Sequence, residues 1–205
     1  MTDDLQSLHA DIAFLRGLAQ DGRSAPLLGG SMLVAAGAIF GLASVAHWLV
    51  ASGQIVASPW ALPVIWLAAL AVFLGVIIPI RRRLSPMKTQ TGANRATGMA
   101  WQGVGWTIFT LWAAIAIVCW RTHSAIALLL LPSIVLALYG LAWMVAAAMT
   151  GKRWIWLTAI GSYAGAVVVA VFAVTPWVFL VFAAALVLLA VVPGVALMRQ
   201  VPKTV

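Results

Sequence analysis

The chain has 205 residues, 64% of them hydrophobic and 8% charged, with a mean hydropathy of +1.09; a soluble domain carries about 45–50% apolar and about 25% charged residues. These figures exclude a disordered or collagen-like chain, a disulfide-stapled secreted domain and a soluble enzyme fold, because almost no polar surface remains to face water. They point to an integral membrane protein.

Twelve Lys or Arg stand against four acids, and those acids, Asp3, Asp4, Asp11 and Asp21, lie within the first 21 residues. From Gly22 onward there is no carboxylate side chain. The membrane region therefore has no acidic proton carrier, no Asp or Glu ligand for a hard cation and no paired acids for acid–base work. The single cysteine, Cys119, permits neither an intrachain disulfide nor a cysteine metal cluster and reads as a small apolar helix residue.

In chain order, residues 1–24 read as a short amphipathic cytoplasmic or interfacial helix. Leu5, Leu8, Ile12, Leu15 and Ala19 follow the alternating three-and-four spacing of heptad positions a and d. Thr2 or Asp3 would cap it, and Gly22 with Pro26 would stop it. Asp4 and Asp11 take g positions, His9 and Arg16 take e positions, and a parallel neighbour would bring Asp11 to Arg16 and Asp4 to His9. Docking onto the chain's own cytoplasmic face, onto another copy or partner, or onto lipid are the three destinations open to it. This mixed, Asp-containing segment lacks the layout of a signal peptide, so the first span is expected to serve as an uncleaved insertion signal.

Six apolar stretches follow, each near the 20 or so residues that a hydrocarbon core of about 30 Å requires. They run over Leu27–Val50, Pro59–Ile80, Trp101–Trp120, Ala125–Met149, Trp154–Thr175 and Trp177–Met198. The expected fold is an all-α bundle of six transmembrane helices arranged as three outward hairpins, spanning residues 27–199, with a short tail at 200–205. Between the second and third spans, residues 81–99 form a basic loop with Arg81, Arg82, Arg83, Lys88 and Arg95, suited to fixing topology and meeting anionic lipid. Residues 85–95 are rich in turn formers and read as an irregular, flexible connection.

With a cytoplasmic N-terminus, eleven Lys or Arg lie inside and only Arg121 outside, so the positive-inside rule puts both termini in the cytoplasm. Trp48, Trp60, Trp120 and Trp177 then mark the outer interface, and Trp101, Trp154 and Trp156 the inner one. Trp66, Trp106, Trp112 and Trp143 fall deeper, where each indole N–H requires a partner. Nine Arg against three Lys, with abundant Ala and Val, suggest a GC-rich bacterial genome and hence a bacterial inner membrane.

Two GxxxG motifs, Gly37 to Gly41 and Gly161 to Gly165, allow close helix approach within the chain or between copies. The hairpins hint at a repeat, with glycines in the inner half of each odd-numbered span and a proline (Pro63, Pro132, Pro176) in the outer part of each even-numbered one. Gln102, Trp106 and Thr110 share one helical face, and Thr110, Tyr139, Ser162 and Tyr163 lie near mid-depth, a set able to line a polar cavity or, equally, to bond backbone and glue helices together. His47 and His123 are the candidate cofactor ligands, with no local spacing that fixes a geometry. No phosphate loop, nucleophile elbow, metal motif or nucleic-acid module occurs, and no cofactor, metal or nucleic-acid partner is expected.

Three functions fit these residues: a non-enzymatic assembly, accessory or regulatory component whose partners are lipids and a second copy or another membrane protein; a passive channel or carrier for a neutral or anionic solute; and a haem- or quinone-linked redox subunit.

Overall fold

The computed structural model describes residues 26–58, 60–84 and 91–200, the side chains of residues 83 and 84 excepted, together with Ile12 alone from the first 25. The apolar runs are helical because a spanning backbone must satisfy its own hydrogen bonds. The helices are α1 (Gly30–Ala51), α2 (Ala61–Leu84), α3 (Gly92–Thr122), α4 (Leu131–Thr150), α5 (Arg153–Val171), α6 (Trp177–Leu186) and α7 (Val192–Gln200). A 3-10 turn, Ile126–Leu130, leads into α4, and a π-helical turn, Val187–Val191, joins α6 to α7. Six helical units are long and apolar enough to cross a membrane, α6 and α7 together forming the last. The chain is an all-α, multi-pass membrane bundle, and no strand occurs among the described residues.

Packing sets the spans in a clear order. Helix α2 packs on α1, α1 packs on the last span, the last span meets α5 and α4, and α3 packs on α4. Helices α2 and α3 lie at opposite edges of the bundle and are the least buried spans, whereas the last span is the most deeply covered. The three hairpins do not pack alike: α5 rests mainly against α4, and α6 mainly against α1, so the hinted threefold repeat is absent from the tertiary arrangement.

The last span is seated by glycines on both sides. A Cβ on Gly194 would lie 2.8 Å from the Gly30 carbonyl oxygen, and one on Gly37 would lie 2.7 Å from Val191 Cγ2. On the other side, Cβ atoms on Gly161 and Gly165 would lie 3.2 and 3.3 Å from the two methyls of Leu189. Gly41 approaches Ala183 more loosely. Both GxxxG motifs thus face the last span within one chain.

The backbone of Leu189 is also special. Pro193 has no N–H, so in a regular α-helix the carbonyl four residues back, that of Leu189, would have no donor. The helix relaxes into a π turn there, with the Val192 N–H donating five residues back to Val187. Trp143 Nε1, fully buried at the centre of α4, donates to the Leu189 carbonyl at 3.0 Å. Around Trp143 stand Trp101, edge-on at 5.4 Å, and Trp154 at 6.5 Å.

Several expected boundaries shift. Helix α3 begins at Gly92, nine residues before Trp101 (101 − 92 = 9), and α2 runs on to Leu84, so both ends of the basic loop expected over 81–99, and residues 92–95 of the irregular stretch expected over 85–95, are helical. At 31 residues, α3 is about 46 Å long, so its first turns extend beyond a hydrocarbon core of about 30 Å. Helix α5 ends at Val171, four residues short of Thr175. Pro63 and Pro132 stand in the first turns of α2 and α4, and Pro176 caps α6; a proline there removes no helical bond, so these three break no span. The interior prolines are Pro79 and Pro193.

Replacing Trp143 by Phe should lower unfolding stability in detergent by about 1–3 kcal/mol through the orphaned carbonyl. In a Pro193→Ala background, where residue 193 regains an N–H, the same replacement should cost less; equal cost in both backgrounds would rule out the hydrogen bond as its cause. Gly37→Ala and Gly194→Ala should each destabilise the bundle measurably, whereas Gly103→Ala, with open space beside it, should be neutral or slightly stabilising. Unfolding curves of the three variants compare these effects directly.

Candidate functional site

Four groups of side chains are candidates for function; three occupy separate parts of the bundle, and the fourth, Ile12 apart, lies outside the described residues. The first is the set expected to line a cavity. Gln102, Trp106 and Thr110 do share one face of α3, but that face points out of the bundle, with Trp106 65% exposed. Tyr139 is buried with its ring edge-on to Trp101 at 5.0 Å. Ser162, fully buried, donates to the Thr158 carbonyl one turn back at 2.8 Å. Tyr163 lies over Gly140, where a Cβ would come within 2.9 Å of its ring. These six residues therefore do not converge on a cavity. Leu136, Ala142, Trp143, Ala146 and Ala147 of α4, which packs on both α3 and α5, are all fully buried. The sharing of a face is fixed by helical spacing, but in a membrane both faces are apolar and spacing alone does not say which one turns outward.

The second group is at the Trp48 end. His47, on α1, accepts a hydrogen bond at Nδ1 from Trp66 Nε1 of α2 at 2.9 Å. Its ring stacks on Phe179 of α6, with centroids 3.5 Å apart and planes inclined by 21°. Next to it, Trp48 packs against Trp177 at 5.7 Å. His123 is elsewhere, capping the C-terminus of α3 in a left-handed conformation (φ 50°) with its N–H on the Cys119 carbonyl. With Trp120 and Arg121 it lines an open depression of about 360 Å³. The two histidines thus belong to different groups, His47 engaged by aromatic rings and His123 exposed. Among the described residues, no group of three or more His, Cys, Asp or Glu side chains is placed to hold a metal ion.

Of the four deep indoles, Trp66 and Trp143 have partners in His47 and Leu189. Trp106 and Trp112 lie on exposed faces of α3.

The third group is the basic end. Arg81, Arg82, Arg95, Arg153 and Arg199 are exposed there, and Lys152 Nζ donates to Gln200 Oε1 at 2.6 Å, joining the α4–α5 turn to the end of α7. Lys88 and the side chain of Arg83 lie outside the described residues. The fastening residue is Asn94, which composition alone leaves inside an apparent loop. Thr91 caps α3 by accepting from the Asn94 N–H. The Asn94 side chain then accepts from the Leu28 N–H at 2.8 Å and donates to the Pro26 carbonyl at 3.1 Å and to Thr91 Oγ1 at 3.1 Å. One amide uses both its acceptor and its donors to pin the entry of α1 to the start of α3. The sequence signal for that helix start was Thr91 three residues before Asn94.

The fourth group is the predicted N-terminal interaction helix. Of Leu5, Leu8, Asp11, Ile12, Leu15 and Arg16, only Ile12 is described, in helical conformation and exposed; the rest lie outside the described residues.

Comparison with protein-family models, with curated proteins and with solved structures finds no match to this chain.

Asn94→Leu should free residues 26–28, seen as faster amide exchange at Leu28 and a stability loss of about 1–3 kcal/mol. Asn94→Asp, which keeps the acceptor but not the donors, should fall between. Unchanged Leu28 exchange in Asn94→Leu would contradict the assigned role.

Proposed function

We propose that this protein is a non-enzymatic component of a bacterial inner membrane, with both termini in the cytoplasm, acting through its helix faces as an assembly, accessory or regulatory partner. The observation that carries the reading is the distribution of polar atoms. The interior is filled by side chains fully buried around Trp143, while the polar row of α3, Gln102, Trp106 and Thr110, faces outward. A carrier or channel places its polar groups around a central path, whereas a membrane protein that associates laterally places them where a neighbouring helix can meet them. Orientation follows from eleven basic residues against one, and the exposed arginines of that end suit contact with anionic lipid. The partner is a second copy or another membrane protein; no cofactor and no nucleic acid enter the proposal.

Native mass spectrometry of the protein, extracted gently from its host membranes, tests this. A stoichiometric companion polypeptide or a homo-oligomer is expected. Replacing Gln102 and Trp106 by Ala and Thr110 by Val should leave unfolding within about 0.5 kcal/mol of the parent and weaken the assembly at least about tenfold, roughly 1.4 kcal/mol. A monomer that carries solute across vesicles, with flux abolished by Thr110→Val or Tyr139→Phe, would overturn the proposal in favour of transport.

A further inference from the structure

Trp66 donates its indole N–H to His47 Nδ1, and an acceptor nitrogen needs a free lone pair. The imidazole in this arrangement is therefore neutral, with its proton on Nε2. That one ring joins three spans, because α1 carries it, α2 supplies Trp66, and α6 supplies Phe179 stacked on its other side. The attachment matters most for α2, an edge helix that packs on α1 and is among the least buried spans. The Trp66–His47 bond is the one side-chain hydrogen bond from α2 to another span among the described residues. The remaining aromatic contact between the two helices, Phe73 with Phe40 at 5.3 Å, lies about two turns further along α2.

We infer that His47 is a protonation-sensitive clip: neutral, it holds the Trp48 end of α2 against α1 and α6, and protonated, it releases that end. A second ring proton turns Nδ1 from acceptor into donor, so the imidazolium meets the Trp66 N–H donor to donor. Among the described residues the new charge has no counter-ion, since no Asp or Glu side chain occurs beyond Asp21. The basic residues of α2, Arg81, Arg82 and Arg83, and Arg199 of α7 lie at the far ends of their helices, and α6 has no titratable side chain. Arg121 and His123, at the same end of the bundle on α3 and its cap, add only positive charge when ionised. Protons can reach the ring, since His47 is half-buried and four residues from the end of α1 (51 − 47 = 4).

The test uses the full chain in lipid nanodiscs between about pH 8 and about pH 3, with ¹⁵N-labelled histidine and tryptophan. The Trp66 indole resonance is assigned by its loss in Trp66→Phe. On acidification it should move to a position typical of a free indole in step with protonation of the His47 ring. His47→Gln, an acceptor that does not titrate in this range, should hold the indole in its bonded position throughout, and His47→Phe should leave it free at every pH. In a Cys119→Ser background, spin labels at Leu42→Cys on α1 and Leu67→Cys on α2, both exposed sites, should separate on acidification in the parent but not in His47→Gln. The inference fails if His47 stays neutral throughout, if it protonates with neither the indole signal nor the label distance changing, or if His47→Gln shows the same transition.

Discussion

The hydrogen bond from Trp143 to the carbonyl of Leu189 ties the bundle together. Pro193 creates the demand for it, because a proline inside a span leaves the carbonyl four residues back without its donor, and hydrocarbon offers no water in compensation. The π turn opens the backbone at that point, and the indole of α4 answers. Such a bond contributes on the order of 1 kcal/mol in a membrane, but leaving the carbonyl unmet would cost more. It therefore selects one register of the last span against α4. Leu189 is used twice, since its side chain occupies the groove of Gly161 and Gly165 while its carbonyl takes the indole proton.

Once the last span is fixed, the remaining packing follows. Gly30 and Gly37 let α1 approach it closely from one side, and α5 seats it from the other. Helix α2 is then added outside α1, and α3 outside α4. At the basic end, Asn94 fastens the entry of α1 to α3 although those helices are not packed neighbours. At the other end, His47 fastens α2 to α1 and α6. Among the described residues, the polar contacts that join separate spans are thus few and tie the entry of α1, the edge helix and the centre in turn. The interior they enclose is occupied by aromatic, aliphatic and small side chains.

Most of the architecture was legible in the sequence because hydrocarbon thickness imposes a length that a soluble core does not. Six runs of the right length, and the basic residues between them, give the spans and their connectivity. The need of Trp66 and Trp143 for partners was legible too, though not the partners themselves, since a histidine on another helix and a backbone carbonyl freed by Pro193 are known only once the spans are packed. Pro193 was the available signal, as its position orphans one identifiable carbonyl. The start of α3 was hidden because residues 85–95 carry turn formers and no apolar period. Helix forms from Gly92 because Thr91 caps it and Asn94 finds two backbone partners more than sixty residues away. The row of Gln102, Trp106 and Thr110 was legible as a row, but its outward direction was not, because lipid and protein interior are alike in polarity.

The central claim, that the bundle is closed around Trp143 and keyed to the last span, is most directly tested by hydrogen–deuterium exchange of the indole protons in lipid nanodiscs. The account predicts that Trp143, identified by its absence in Trp143→Phe, keeps its proton long after Trp60 and Trp120, both 77% exposed at the helix ends, have lost theirs. Exchange of Trp143 as fast as theirs would mean that water reaches the centre of the bundle and would contradict both the hydrogen bond and the closed interior.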